Sequence, residues 1–452
     1  MHLLSAYRDQ YRRNLKLALP VVLTQLGQIL TQLADTIMVG QFGGADPTPL
    51  AAVSFGGAVS FIFLIGCIGV ALGLTPLIGE HFVREEHDRC ARLLHHAVLF
   101  YTLLGLAVGT LLRLLEPMLG LLGQEASVAE AALPYYRMLS YSFPFMLFFF
   151  SFKQFLEGTG NTRTVMSITI AANLLNVLCN WIFIYGNWGA PAMGAEGAGL
   201  ATLLSRILSA LLVLLYFLLH RRYAPYLHGF GRQRLAWEPV RRLLTIGLPI
   251  AAQMFLESSA FVGTSLMIGW LGTAPLSANQ IAITLGNCAF MVILAISSAS
   301  TIRISHCYGL RNIGELRLAA HASYHLVLAW NLLATLCFIL FRHDIARLFT
   351  ANEEVIALTA DLMFFVALYQ LWDGMQNVSI GILRGLQDVK IITPIAFVAY
   401  WLINLPGGYL LGIRLGMGAN GFFLGYSFGL ATAALLLIAR IRRTVRRLET
   451  AR

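Results

Sequence analysis

Residues 248–272, LPIAAQMFLESSAFVGTSLMIGWLG, form an apolar run long enough to cross a bilayer, which takes about 20 residues of helix. Glu257 stands near its middle. A carboxylate at the centre of a spanning helix costs roughly 2.5–3.5 kcal/mol on insertion scales, so such a residue has a partner or a use. The run has an echo in residues 19–43, LPVVLTQLGQILTQLADTIMVGQFG. At one constant offset Pro20 falls on Pro249, Met38 on Met267, Gly40 on Gly269 and Gly43 on Gly272. The echo carries its own acid, Asp35, at a different height. The chain reads as two copies of one membrane unit, with these acids as its working parts.

Of the 452 residues 58% are hydrophobic and 12% charged, whereas a soluble domain carries about 25% charged residues. Twelve apolar stretches follow one another at 15–40, 51–78, 93–115, 132–156, 163–188, 194–220, 243–270, 276–302, 320–341, 357–383, 390–413 and 417–440. All are predicted to be α-helices, because a lone helix satisfies its own backbone in lipid. A membrane barrel would need alternating segments of about 10 residues, and these runs are too long and too evenly apolar. The predicted fold class is an all-α integral membrane protein of twelve spans.

The net charge of +10 comes from arginines and lysines that collect in alternate links. Arg8, Arg12, Arg13 and Lys16 precede the first span, and Arg84, Arg89 and Arg92 follow the second. Arg163 follows the fourth. Arg221, Arg222, Arg232, Arg234, Arg241 and Arg242 fill the central link. Arg311 and Arg317 follow the eighth, and Arg384 and Lys390 bound the link after the tenth. The tail holds Arg440, Arg442, Arg443, Arg446, Arg447 and Arg452. The other links hold few, namely Arg113, Arg342, Arg347 and Arg414. Basic loops face the cytoplasm and anionic lipid, so both termini and the central link are placed inside. No soluble domain is left to bind nucleic acid.

The repeat extends further. Residues 154–162, QFLEGTGNT, align with 381–389, GILRGLQDV, setting Leu156 on Leu383 and Gly158 on Gly385. Gly194 and Gly199 fall on Gly416 and Gly421. Offsets of 222 to 229 give six spans per copy, an even number, so the copies are parallel and related by an axis along the membrane normal. The expected organisation is an N-lobe at 1–220, a cytoplasmic linker at 221–242, a C-lobe at 243–440 and a basic tail at 441–452. Such an arrangement suits alternating access, with a site between the lobes near mid-membrane.

Polar groups inside the spans mark the candidate sites. At about 1.5 Å of rise per residue, Asp35, Asn176, Asn180 and Thr202 reach a similar height in the first lobe. Asn176 and Asn180 share a helix face, with Asn173 a turn back. An acid, carboxamides and a hydroxyl at one level make a proton or small-cation site, although asparagines also serve simply to join helices. In the second lobe Glu257 and Asp373 both fall near the midplane. Tyr369 lies a turn before Asp373, Gln376 and Asn377 a turn after it, and Gln280 is in reach from the eighth span. Two carboxylates among oxygen donors suit a hard monovalent cation or a shared proton.

Other features are bland. The six cysteines show no CxxC, and Cys67, Cys179, Cys288 and Cys337 read as small buried hydrophobes. His95 and His96 are expected at a surface beside a basic link. Gly66, Gly69 and Gly73 form a small-residue face for close helix packing. Residues 1–20, in which Leu3, Leu4 and Tyr7 alternate with Arg8, Arg12 and Arg13, suit a helix lying on the inner surface. There is no HExxH, Walker A or GxSxG signature, and the chain is not expected to be an enzyme.

Taken jointly, several stretches resemble the bacterial NorM branch of the multidrug and toxic compound extrusion (MATE) transporters. They are Leu19-Pro20 with Gln25, residues 35–40 (DTIMVG), residues 50–52 (LAA), residues 197–202 (GAGLAT) with Ser205 and Arg206, Glu257, Asn279-Gln280, and Tyr369 with Asp373. The resemblance covers essentially the whole chain. It implies secondary antiport, in which Na⁺, H⁺ or both enter while a bulky, often cationic drug leaves. It further implies a C-lobe cation site at Glu257, Asp373, Tyr369 and Gln280 and an N-lobe site at Asp35, Asn176, Asn180 and Thr202. No cofactor is implied beyond the coupling ion. The expected setting is a monomer in the bacterial inner membrane. The rival reading is a lipid-linked oligosaccharide flippase of the same superfamily, which would favour a basic cavity. The spans here carry acids, with Arg206 an exception.

Overall fold

The computed structural model describes residues 2–44, 46–227 and 236–450. Arg232, Arg234 and Arg452 lie outside the described residues, as do the side chains of Leu3 and Leu4. The described residues are almost wholly helical, with no strand among them. In chain order the helices are α1 (His2–Gly43), α2 (Thr48–Ala71), α3 (Leu74–Phe82), α4 (His87–Leu115), α5 (Ala126–Gly158), α6 (Thr162–Tyr185), α7 (Ala195–Leu219) and the single-turn α8 (Ala224–Leu227). They continue with α9 (Trp237–Gly269), α10 (Thr273–Gly309), α11 (Ile313–Leu340), α12 (Arg342–Arg347), α13 (Glu353–Gly385), α14 (Ile392–Ala396), α15 (Leu405–Tyr409) and α16 (Ala419–Thr450). Asparagine side chains start three of them: Asn161 caps α6, Asn312 caps α11 and Asn352 caps α13.

Among the described residues, eleven helical stretches have the length and composition of membrane spans. The remaining predicted span, the fourth at 132–156, falls in α5, which at 33 residues is long enough but whose apolar run is interrupted by prolines, serines and charges. Leu103, Leu106 and Leu114 on α4 and Leu332, Leu333 and Leu336 on α11 stand exposed, a surface that water would not tolerate and hydrocarbon does. Helix α1 runs unbroken through the basic lead-in, so residues 7–20 extend the first span rather than lie on a surface. Buried Gln10 and Asn14 pin them there, Asn14 through Ser323 at 3.0 Å. No helix breaker separates the two parts, since Pro20 is accommodated within the helix. The stretch Ile392–Arg414 is helical with two π-helical segments, at Phe397–Asn404 and Leu410–Arg414. Pro406 between them lacks an N–H, and the ladder slips to wider spacing around it.

The chain divides into two compact units: Leu23–Ala251, and Ala252–Arg452 together with Met1–Val22. Each copy of the repeat uses the same close helix approach. In the first unit a Cβ on Gly158 would lie 2.9 Å from Ile78 Cβ and 2.9 Å from the Thr75 carbonyl. In the other, a Cβ on Gly385 would lie 2.7 Å from Ile304 Cβ and 2.8 Å from the Thr301 carbonyl. The hydroxyls match too: Thr75 donates to the Gln154 carbonyl at 3.2 Å, and Thr301 to the Gly381 carbonyl at 3.0 Å. Gly69 and Gly73 do admit a neighbouring backbone, at Ala251 and Gly247 of α9, whereas Gly66 faces open space.

Two local expectations are corrected. His95 and His96 are buried. The His96 ring bonds the Arg92 carbonyl at 2.8 Å and accepts the Ala236 N–H at 3.0 Å, so it fastens the start of α9 to α4. A nearby basic link does not place a residue at the surface when the helix already packs at that height. Cys288 and Cys337 are exposed, because position in an apolar run does not decide which way a helix turns a residue.

Asp388, between α13 and α14, accepts Arg440 at 2.7 and 2.9 Å and Thr444 at 2.7 Å, tying the connection to α16. Partial burial pushes its carboxyl up, but these hydrogen bonds and the guanidinium charge prevail and hold it below the usual carboxylate range. A depressed folded value means the contribution is present above the unfolded value of about 3.9 and disappears as pH falls through the folded one. Arg440→Gln is expected to lower the melting temperature of the detergent-solubilised protein at pH 7 by a few degrees. The difference from the parent should shrink as the pH is lowered below about 4.

Candidate cation sites

The unit containing the second copy brings three elements together at Glu257. On α9 itself Gln253, one turn before, donates to Glu257 Oε2 at 2.6 Å. Tyr400, from the π-helical segment, donates to Glu257 Oε1 at 2.6 Å. Gln376 of α13 donates to the same oxygen at 3.4 Å and to the Tyr400 hydroxyl at 2.5 Å. Asp373, buried one turn before Gln376, accepts Asn377 Nδ2 at 2.8 Å and lies within electrostatic reach of Glu257. The two acids that the sequence placed near one height thus belong to one polar cluster. Gln376 Oε1 is buried there without a hydrogen-bond partner, a free acceptor beside two carboxylates.

Of the other two residues expected here, Tyr369 lies within electrostatic reach of Asp373 and Gln280 stands exposed. Tyr369 is buried and packs its ring against Phe423 and Tyr426, with centroids at 6.1 and 5.9 Å. Its neighbour across the helix pair is Gly286, where an added Cβ would lie 2.5 Å from the phenol oxygen. Gln280 is exposed, and only its backbone carbonyl is engaged, by Thr284 at 2.8 Å. Tyr400 and Gln253 are the residues that sequence reasoning missed. Gln253 had a visible signal, an amide one turn from an intramembrane acid on the same face. Tyr400 had none, because a wide helical turn sets its direction.

In the unit containing the first copy, Asn180 of α6 donates to Asp35 of α1 and also to Asn176 Oδ1 at 3.2 Å. Asn176 and Asn180 are buried and Asp35 is partly so. The Asn180 Oδ1 is buried without a hydrogen-bond partner, again a free acceptor beside a carboxylate. Asn173 approaches α1 at Gly27, where an added Cβ would lie 3.1 Å from its Nδ2. Thr202 is half-buried and turns its hydroxyl back to the Ala198 carbonyl at 3.1 Å. Arg206, one turn along α7, donates to Ser142 at 2.6 Å and lies over the Phe143 ring at 5.9 Å from its centroid.

A polytopic helical bundle with acids and acceptor oxygens sunk in its spans has the features of a membrane transporter. Its family is shown by comparison with known proteins: the MatE model matches twice, over residues 20–182 and 249–410, and the chain belongs to that family. It is 32% identical over 444 residues to the multidrug resistance protein NorM of Photobacterium profundum, covering 96% of each chain. It is also 32% identical to the multidrug resistance protein MdtK of Yersinia pseudotuberculosis, again over 96% of each. Among solved structures it resembles an outward-facing multidrug resistance MATE family transporter of the MOP superfamily. There the TM-score is 0.88 at 20% identity, with 98% and 97% of the chains covered. A MATE protein in complex with MaD3S gives 0.89 at 20% identity, over 98% and 97%.

Proposed function

We propose that the protein exports bulky organic, often cationic compounds in exchange for Na⁺, H⁺ or both, by alternating access of two lobes. The lobes would be 1–220 and 243–440, joined by the 221–242 link, in a bacterial inner membrane with both termini on the cytoplasmic side. The observation that carries this reading is the cluster of Glu257 and Asp373 with Tyr400, Gln376 and Asn377 in the middle of membrane spans. Carboxylates there are costly unless neutralised. A cation supplies the neutralising charge, and the free Gln376 oxygen supplies a further donor. Asp35 with Asn180 and Asn176 offers a second such place. The names of the NorM and MdtK relatives, multidrug resistance proteins, support drugs as the cargo.

A cation driven inward by the membrane potential gains about 2.3 kcal/mol per charge per 100 mV, enough for modest uphill export before any concentration gradient is added. Flipping of an anionic lipid-linked sugar fits less well. Acids stand in both clusters, and the Arg206 guanidinium is taken up by Ser142 and the Phe143 ring. The test is ethidium transport in everted vesicles with Na⁺ replaced by K⁺ at fixed pH, and separately with the proton gradient collapsed at fixed Na⁺. Transport is expected to fall at least fivefold in one arm or both. Transport indifferent to both ions would end the antiport reading.

A further inference from the structure

Arg384 ends α13 as a half-buried cation with no carboxylate within 4.0 Å among the described residues. Its Nη2 donates to Gln253 Oε1 at 3.2 Å, and its Nε is buried without a hydrogen-bond partner. Gln253, only 2% exposed, then donates from its other amide atom to Glu257 Oε2 at 2.6 Å. The amide can satisfy both neighbours in one orientation only, oxygen toward the guanidinium and NH₂ toward the carboxylate. One polarised amide therefore stands between a fixed positive charge and the acid.

The first copy of the repeat has nothing of the kind. At its equivalent positions stand Thr24, Gln28 and Glu157, where the second copy has Gln253, Glu257 and Arg384. The glycine register beside them, Gly158 against Gly385, is unchanged. All three positions differ together while the packing around them is kept, which separates the chain of Arg, Gln and Glu from the demands of the fold.

We propose that Arg384 is an internal counter-charge to the Glu257–Asp373 pair, a positioning residue that acts through Gln253 and sets how tightly the coupling cation is held. The proposal rests on the reading of Glu257 and Asp373 as the place where that cation binds. Before the cation arrives, the Gln253 amide aims Glu257 and the guanidinium stabilises negative charge on it. When the cation arrives it shares Glu257 with Arg384 and is repelled by it, so it binds loosely enough to leave on the other side. The groups facing Glu257 that bear on its charge are Asp373 and Arg384 of α13 and Tyr400 of the π-helical segment. At a separation of about 8 Å and an effective dielectric near 20, one such charge changes cation affinity by up to about thirtyfold.

The experiment measures the half-saturating concentration of Na⁺ at fixed pH, and of H⁺ at fixed Na⁺, for ethidium export from vesicles. Cation-induced thermal stabilisation in detergent is read on the same variants. Arg384→Gln is expected to lower the half-saturating concentration of the driving cation about five- to thirtyfold and to slow maximal export, since release becomes harder. Arg384→Lys, which keeps the charge, is expected to stay within about threefold of the parent. An Arg384→Gln value unchanged within twofold, or raised, overturns the proposal, as does an equal shift in the lysine variant. If Arg384→Gln does not fold, Gln253→Met carries the test: it keeps both charges and removes the relay. It should shift half-saturation in the same direction by at least threefold, and no shift overturns the idea. Glu257→Gln is run alongside. Cation-stimulated export that survives in that variant removes the underlying site, a failure distinct from that of Arg384.

Discussion

Glu257→Gln and Asp373→Asn are each expected to abolish cation-driven export, lowering ethidium efflux at least tenfold while leaving folded protein in the membrane. The amide keeps the shape and hydrogen-bonding capacity of the acid and removes its charge. Tyr400 still has an oxygen to donate to in place of Glu257 Oε1, and Asn377 has one in place of Asp373 Oδ1. Packing is therefore preserved, and what disappears is the attraction for a cation. Removing a charge from the middle of a span lowers its insertion cost, so neither variant should be less stable than the parent. Efflux and melting temperature should accordingly move in different directions. Full cation-stimulated export in both variants would exclude this cluster from the coupling mechanism.

The second large effect belongs to the fold. Gly158→Val and Gly385→Val each drive a branched side chain into a helix pair that admits only hydrogen. The added Cβ would meet backbone oxygen of Thr75 at 2.9 Å or of Thr301 at 2.8 Å, and neither can yield without moving a helix. Overpacking of this kind costs typically about 1–3 kcal/mol, and more where the obstruction is backbone. Both variants are expected to lose most of their monodisperse peak in detergent gel filtration and to melt many degrees lower. The two losses should be alike, because the two copies use one contact at one register. Monodisperse, parent-like behaviour of either variant would show that the helices can separate there without penalty.

The sequence made the membrane class and the doubling of the unit legible. Length and uniform apolarity of the runs leave a helix as the only structure that satisfies its own backbone in lipid, and the family model matches once in each copy. Buried acids stood out for the same reason: Glu257, Asp373 and Asp35 are conspicuous against hydrocarbon in a way they would not be in a soluble chain. Periodicity further put Asn377 on the face of Asp373 and Asn176 on that of Asn180, and both pairs are hydrogen-bonded.

Direction across the bundle was another matter. Helical spacing says which residues share a face, not which neighbour that face meets. Hence Gln280, in reach by height, is exposed, while Tyr400, unremarkable in the sequence, reaches Glu257 because a π-helical turn rotates it there. His95 and His96 were misplaced for the same cause, as were Cys288 and Cys337. Composition, span length and repeat are summed along the chain, and the amino-acid order alone determined them. The partners of each polar group depend on how helices rotate and bend against one another, and only the tertiary structure decided those.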